Sequence, residues 1–263
     1  MENQVFAKKI RLKTLEMLKH TGFGHIGAAM SIVETLAVLF NEEMTKDDWF
    51  VLSKGHGGPS YYACLHLKGA FEEELLYTLN QNGTHLPSHP DRLLIPGVQV
   101  TTGSLGQGIS QAVGIAKGLK MQGKNGRVFC IVGDGECNEG QVSEAMQFAS
   151  QQKLDNFYLF IDHNKKQLDG YTEEVSSQIN YEQLLQVYGY ETVTVKGNDV
   201  EAIAENIQAM KEKNQPKGIV LDTIKGQGIP YFEKLHDNHH VRFNDKEMSI
   251  LEKEIETLRK ELI

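Results

Sequence analysis

Val128-Phe129-Cys130-Ile131-Val132 runs straight into Gly133-Asp134-Gly135-Glu136, and Phe157-Tyr158-Leu159-Phe160-Ile161 runs into Asp162-His163-Asn164. Reading these two stretches together decides the fold. Each opens on five consecutive apolar residues, β-branched or aromatic for the most part, the pattern of a strand buried on both faces. Residues 141–150 between them read as a helix. Two buried strands joined by a helix make a parallel βαβ unit with a right-handed crossover. The rhythm repeats downstream, with residues 190–195 as strand, 200–213 as helix and 218–223 as strand. The expected fold class is α/β, a parallel sheet with helices on both faces, in one domain over residues 1–263.

Working outward, a basic amphipathic helix opens the chain, with Val5, Ile10, Leu12, Leu15 and Leu18 near helical spacing. After Thr21-Gly22-Phe23-Gly24, residues 31–40 form a second helical pattern. Phe50-Val51-Leu52 is a short strand running into the loop Ser53-Lys54-Gly55-His56-Gly57-Gly58, and residues 61–67 read as a helix. Residues 101–108 form another glycine-rich turn before a helix over 109–120. A charged amphipathic helix covers 245–263.

Composition excludes several classes. Hydrophobic residues make up 40% and charged residues 24%, a globular balance. A formal net charge of −8 gives no basic field for a nucleic-acid backbone or an anionic membrane, so neither partner is expected. The first residues lead into Lys8, Lys9, Arg11 and Lys13 without an apolar stretch, so no signal peptide is expected. Cys64, Cys130 and Cys137 lack metal spacing. The first two lie in apolar runs and read as buried thiols, which suits a reducing cytoplasm.

Ligands of an open parallel sheet bind beyond the carboxyl ends of its strands. Asp134 and Asn164 follow successive strands, so their side chains are expected at one edge. A carboxylate and an amide oxygen are hard ligands that leave room for further oxygens. That set suits Mg²⁺ holding a diphosphate. Gly133 and Gly135 let the backbone approach an anion closely, and the helix after them offers N–H groups. A bare Gly-Asp-Gly is also the sequence of a plain turn. Its place at a strand end, with 28 residues between Gly135 and Asn164, matches the thiamine diphosphate fingerprint.

The run Gly133-Asp134-Gly135-Glu136…Glu139-Gly140-Gln141…Glu144-Ala145…Phe148-Ala149…Lys153-Leu154-Asp155-Asn156 resembles transketolase. So do residues 50–56, Thr102-Gly103-Ser104-Leu105-Gly106-Gln107-Gly108 and Lys225-Gly226-Gln227-Gly228. The resemblance implies Asp134 and Asn164 as Mg²⁺ side-chain ligands, with the Lys166 carbonyl as the third. It implies Gly103, Ser104 and Leu105 along the cofactor, Gly135 and Glu136 in the diphosphate turn, and Leu168 against the thiazolium region. Glu139 and Glu144 match acidic residues of a subunit interface, and read equally well as exposed helix carboxylates.

Of ten histidines, five at positions 20, 66, 85, 163 and 236 read as surface or satisfied core residues. His25, His56, His89 and His239 lie in or near turns that match the family. The resemblance brings His56 and His239 to the diphosphate and reacting carbon, and His25 and His89 to the substrate's hydroxyls and carbonyl. Imidazoles can donate to developing oxyanions and move protons near neutral pH. His239 competes with His240 for its role, and spacing from Gly228 favours His239. Ile26, Phe23 and a shortened stretch over 40–49 depart from the family and border the substrate mouth.

The resemblance implies one half of a split enzyme. Its partner is expected to be a separate subunit equivalent to the C-terminal half of transketolase, carrying the catalytic glutamate, with two copies of each. Sugars or sugar phosphates are the implied substrates. The cofactor-binding chain of a 2-oxoacid-decarboxylating complex would share the metal motif without accounting for His25, His56 and His89 together. A non-catalytic cofactor-binding regulatory subunit has no need of them.

Overall fold

A computed structural model describes all 263 residues. Its central sheet has five parallel strands, β1 (Trp49–Leu52), β2 (Val128–Gly133), β3 (Phe157–His163), β4 (Glu191–Lys196) and β5 (Lys217–Asp222). Their order is β1-β2-β3-β5-β4. All of β2 is buried, and β3 is buried up to Asp162, as the continuous apolar runs require. The pleat sorts these residues into two cores. Phe129, Ile131, Tyr158 and Phe160 face one layer, while Cys130, Val132, Leu159 and Ile161 face the other.

The first core is closed by α1 (Asn3–Thr21), α2 (Gly58–Leu67), α5 (Val200–Met210) and α6 (Asp245–Glu261), through Phe6, Tyr62, Ile203 and Leu251. The second is closed by α3 (Gln107–Met121) and α4 (Gly140–Gln151), through Ile109, Ala112, Val142 and Ala145. All three cysteines are free and buried. No helix is long and apolar enough to cross a membrane.

Two helical expectations are corrected. Residues 31–40 are not one helix: Ile26–Met30 and Val33–Val38 are separate and continue into a π-helical turn at Leu39–Glu43. Both short helices are buried all round, so their sequence carries no phase to mark where one stops. The helix expected over 200–213 ends at Met210. Beyond it the chain must turn into β5, and the buried Lys217 ammonium donates to the Lys213 carbonyl at 2.8 Å. An antiparallel ribbon pairing Phe23–Gly24 with Val241–Arg242 has no sequence signature, because two-residue strands show no periodicity.

Candidate active site

Parallel pairing of β2 with β3 sets Gly133 opposite Asp162, so Asp134 and Asn164 leave the same edge of the sheet. Asp134 is held in place by two backbone donors, Gly135 N–H at 2.8 Å and Lys165 N–H at 2.6 Å. Burial first, and then the neighbouring Asp162 charge, push its carboxyl up to about 7. That is the position of a carboxylate in want of a cation.

Asn164 is oriented from below. Its Nδ2 donates to Asp162 Oδ2 at 2.8 Å, which turns Oδ1 the other way, where it accepts from Lys166 N–H at 3.2 Å. Asp162 itself is fully buried and accepts from Ser31 Oγ at 2.6 Å, Thr223 Oγ1 and the Lys54 ammonium. Burial works to raise its pKa, but Lys54 and these donors outweigh it and hold the carboxyl below its usual range. Asp162 and Lys54 are not singled out by sequence patterns of the site. A charged residue inside each buried segment is the signal that could have found them.

The donors available to a metal are one carboxylate, one amide oxygen and a backbone carbonyl at Lys166. No group of three His, Cys, Asp or Glu side chains is placed to hold a metal ion. An all-oxygen, sparse set of this kind fits Mg²⁺ better than Zn²⁺, with phosphate oxygens and water completing the octahedron.

Above this floor lies a cavity of about 330 Å³ lined by His56, His89, Gly103, Leu105, Gly135, Glu136, Asn164, Lys166, Leu168 and His239, among others. Ser104 is exposed beside it and is not part of its lining. Gly135 is required here, because a Cβ would stand 2.7 Å from the Gln167 Cβ. Gly55 and Gly103 cross so closely that a Cβ on Gly55 would lie 2.8 Å from the Gly103 Cα. Glu136 lines the cavity, but its carboxylate serves as framework. Oε1 accepts from Ser53 Oγ at 2.6 Å and Gly106 N–H at 2.9 Å, and Oε2 from Gly133 N–H at 3.1 Å.

The four turn histidines converge. Ring centroids of His25 lie 6.1 Å from His56, 5.5 Å from His89 and 5.4 Å from His239, and His56 lies 4.9 Å from His239. His240 joins them at 4.7 Å from His25. His239 lines the cavity, whereas His240 is exposed on its outer side. Burial, followed by the neighbouring imidazoles and Lys225, lowers His25 to about 3. Burial, then Lys225 and Lys54, lowers His239 to about 3. His56 is driven well down by burial and Lys54, and His89 is lowered by burial. These four rings are therefore neutral near pH 7, each with one N–H to donate. The five histidines given a bland reading lie elsewhere; His66 Nδ1, for example, lies 3.0 Å from the Phe71 carbonyl.

Two lysines tie the metal edge to the segment carrying His239. Lys225 Nζ donates to the Gln167 carbonyl at 3.1 Å and lies 3.0 Å from His239 Nδ1. Lys166 sends its ammonium away from the floor, to the Leu235 carbonyl at 2.7 Å and over the Tyr171 ring. In the sequence Lys225 stands out only as the first residue of a glycine motif.

A parallel sheet that presents an oxygen-donor floor, glycine turns and clustered neutral imidazoles at its strand ends defines a cofactor-binding α/β domain. Residues 2–258 match the family model for the thiamine diphosphate binding domain of transketolase. The chain is 41% identical over 250 residues to the 6-deoxy-6-sulfo-D-fructose transketolase subunit SqwG of Clostridium sp. strain MSTE9, spanning 91% of each. It is 34% identical over 244 residues to an apulose-4-phosphate transketolase subunit of Actinobacillus succinogenes, spanning 89% of this chain and 88% of that one. Among solved structures, Campylobacter jejuni transketolase superposes with a TM-score of 0.88 at 27% identity, over 97% of this chain and 43% of the other. A Pichia stipitis transketolase variant superposes with a TM-score of 0.89 at 30% identity, over 96% and 40%. The chain spans less than half the length of these solved enzymes. It belongs to the transketolase family, whose thiamine diphosphate binding domain it matches over nearly its whole length.

Proposed function

We propose that this chain is the cofactor-holding subunit of a split, cytoplasmic transketolase. It would act as one domain over residues 1–263 in carbohydrate metabolism. The enzyme would move a two-carbon ketol unit from a ketose donor to an aldose acceptor. The observation that carries this reading is the meeting of neutral His25, His56, His89 and His239 above the floor made by Asp134 and Asn164. Names of the two similar subunits point to substrates bearing a sulfonate or a phosphate.

Asp134, Asn164 and the Lys166 carbonyl would hold Mg²⁺, with Gly135 and the glycine turn at Gly103 against the diphosphate. Thiamine diphosphate, when bound, supplies the nucleophile and electron sink of ketol transfer. Around it the protein's own groups bind, orient and donate. Lys225 places a positive charge beside the diphosphate site, and Leu105 and Leu168 give the cofactor's ring an apolar wall. His25 and His89 would donate to the substrate's carbonyl and hydroxyl oxygens, and His239 and His56 would hold protons on the cofactor side.

The partner would be a second subunit carrying the pyrimidine-binding domain and its catalytic glutamate, two copies of each. Support comes from two observations. The chain spans nearly all of relatives that are themselves named as subunits. Leu105 and Leu168 are also exposed beside the cavity at 37% and 64%, as a covered face requires. Ketol transfer measured on this chain alone, on the partner alone and on their mixture tests the proposal. Activity is expected only in the mixture, together with a heteromeric species in light scattering. Turnover by the lone chain in proportion to its own concentration would overturn it.

A further inference from the structure

Asn238 precedes His239 in the chain and is buried. Its Nδ2 donates to the Lys225 carbonyl at 2.8 Å and to the Phe232 carbonyl at 2.7 Å. Both partners are carbonyls, so the nitrogen and not the oxygen of the amide faces them. Oδ1 is buried without a hydrogen-bond partner. This side chain therefore works through its N–H pair alone, and carries an orphaned acceptor to do so.

The backbone closes a ring around it. Phe23 and Gly24 pair with Arg242 and Val241, and the same register sets Gly27 opposite Asn238, whose carbonyl accepts from Gly27 N–H at 3.1 Å. Gly226 N–H in turn donates to the Gly27 carbonyl at 2.9 Å. With the Asn238 amide on Lys225, three segments are joined pairwise: the turn carrying His25, the turn carrying Lys225 and the segment carrying His239. The join is tight. A Cβ on Gly27 would stand 2.3 Å from the Asn238 carbonyl oxygen and 2.9 Å from the Lys225 Cγ. It is also anchored, because Phe232, in the short helix Pro230–Lys234, is fully buried in the first core.

We propose, resting on the ketol-transfer reading above, that Asn238 is a positioning residue whose amide holds Lys225 and His239 in contact and in a fixed relation to His25. Neighbouring residues grip the same lysine at both ends. Asn238 holds its carbonyl, and Nδ1 of His239 lies 3.0 Å from its Nζ. An ammonium only donates, so that contact makes Nδ1 the acceptor and leaves the ring proton on Nε2. Without the amide the lysine's backbone is released, and the imidazole is free to carry its proton on either nitrogen. The 5.4 Å separation of the His25 and His239 rings is then no longer set. Asn238 does not line the cavity, so it acts only through these neighbours.

Nitrogen-15 spectra of the full chain, labelled at histidine, test this without turnover. The His239 signals are identified by their loss in His239→Gln. The unmodified chain is expected to show His239 bare at Nδ1 and protonated at Nε2. Asn238→Leu keeps the volume and removes the N–H pair, and should leave both ring nitrogens partly protonated. In the assembled complex it should lower kcat roughly 10–100-fold with cofactor affinity unchanged. Asn238→Asp keeps the shape without the donors and should do the same, whereas Asn238→Gln restores the donors and should recover part of the loss. A proton on Nδ1 in the unmodified chain, an unaltered His239 signal in folded Asn238→Leu, or parallel loss of kcat and cofactor affinity overturns the proposal. So does failure of Asn238→Leu and Asn238→Asp both to fold, which would make the amide a structural group. Absence of ketol turnover with every donor would count against the catalytic reading instead, because the tautomer is read without turnover.

Discussion

Lys225 Nζ lies 3.0 Å from Nδ1 of His239 while it donates to the Gln167 carbonyl at 3.1 Å. An ammonium has only donors, so this contact makes His239 Nδ1 the acceptor and leaves its proton on Nε2. The lysine thus selects the imidazole's tautomer. It also supplies the positive charge that, after burial, keeps the ring unprotonated. His239 becomes a neutral donor whose N–H is available on the side away from the lysine.

Asp134→Ala should abolish tight cofactor binding and preserve the fold. The carboxylate is the one charged donor on the floor, and burial with Asp162 keeps it in need of a cation. Loss should exceed the roughly 10–100-fold typical of groups that only orient a ligand. Calorimetry of the assembled complex with Mg²⁺ and thiamine diphosphate reads it; unchanged affinity would remove Asp134 from the metal site.

His25→Ala should lower turnover by about 10²–10³-fold and cofactor affinity far less. His25 does not line the cavity floor; it lies among His89, His239 and His240 on the outer side. Steady-state kinetics beside cofactor titrations separates the two effects. Parallel loss of both would place His25 at the diphosphate.

Lys166→Met keeps the backbone carbonyl and removes the ammonium that donates to Leu235 O at 2.7 Å. A hydrogen bond from a charged group is worth about 1.5–3 kcal/mol, so amide exchange across residues 230–240 should quicken by roughly 10-fold or more. Turnover should fall further than Mg²⁺ affinity, because the segment that loosens carries His239. Unaltered exchange would show that the side chain ties nothing down.

Acid should destabilise the protein through its neutral histidines. His25 and His239 titrate near 6.5 when unfolded and near 3 when folded, with burial the main cause. Between these values the unfolded chain holds more protons, so stability declines as pH falls from about 6.5 toward 3 and is insensitive to these groups above that. His25→Gln should flatten the decline in urea midpoints measured from about pH 7 to pH 4. An unchanged slope would mean that His25 is protonated in the folded protein.

Sequence alone determined the parallel α/β sheet, because β2 and β3 are continuous apolar runs that only a sheet covered on both faces can bury. It also determined that Asp134 and Asn164 share an edge, since strands joined by a helical crossover run parallel and end on the same side of the sheet. Tertiary structure decided what no local pattern encodes. Lys54 and Asp162 meet across the chain as a buried pair that turns the Asn164 amide outward. Glu136 commits its carboxylate to the Ser53 hydroxyl and two backbone N–H groups rather than to a ligand. Spacing from Gly228 only favoured His239 over His240, whereas the fold lines the cavity with His239, sets it against Lys225 and leaves His240 exposed. Phe23 found Arg242 through a two-residue ribbon. Such pairings depend on where distant segments pack, and the hydrophobic period that reports burial along a strand or helix is silent about them.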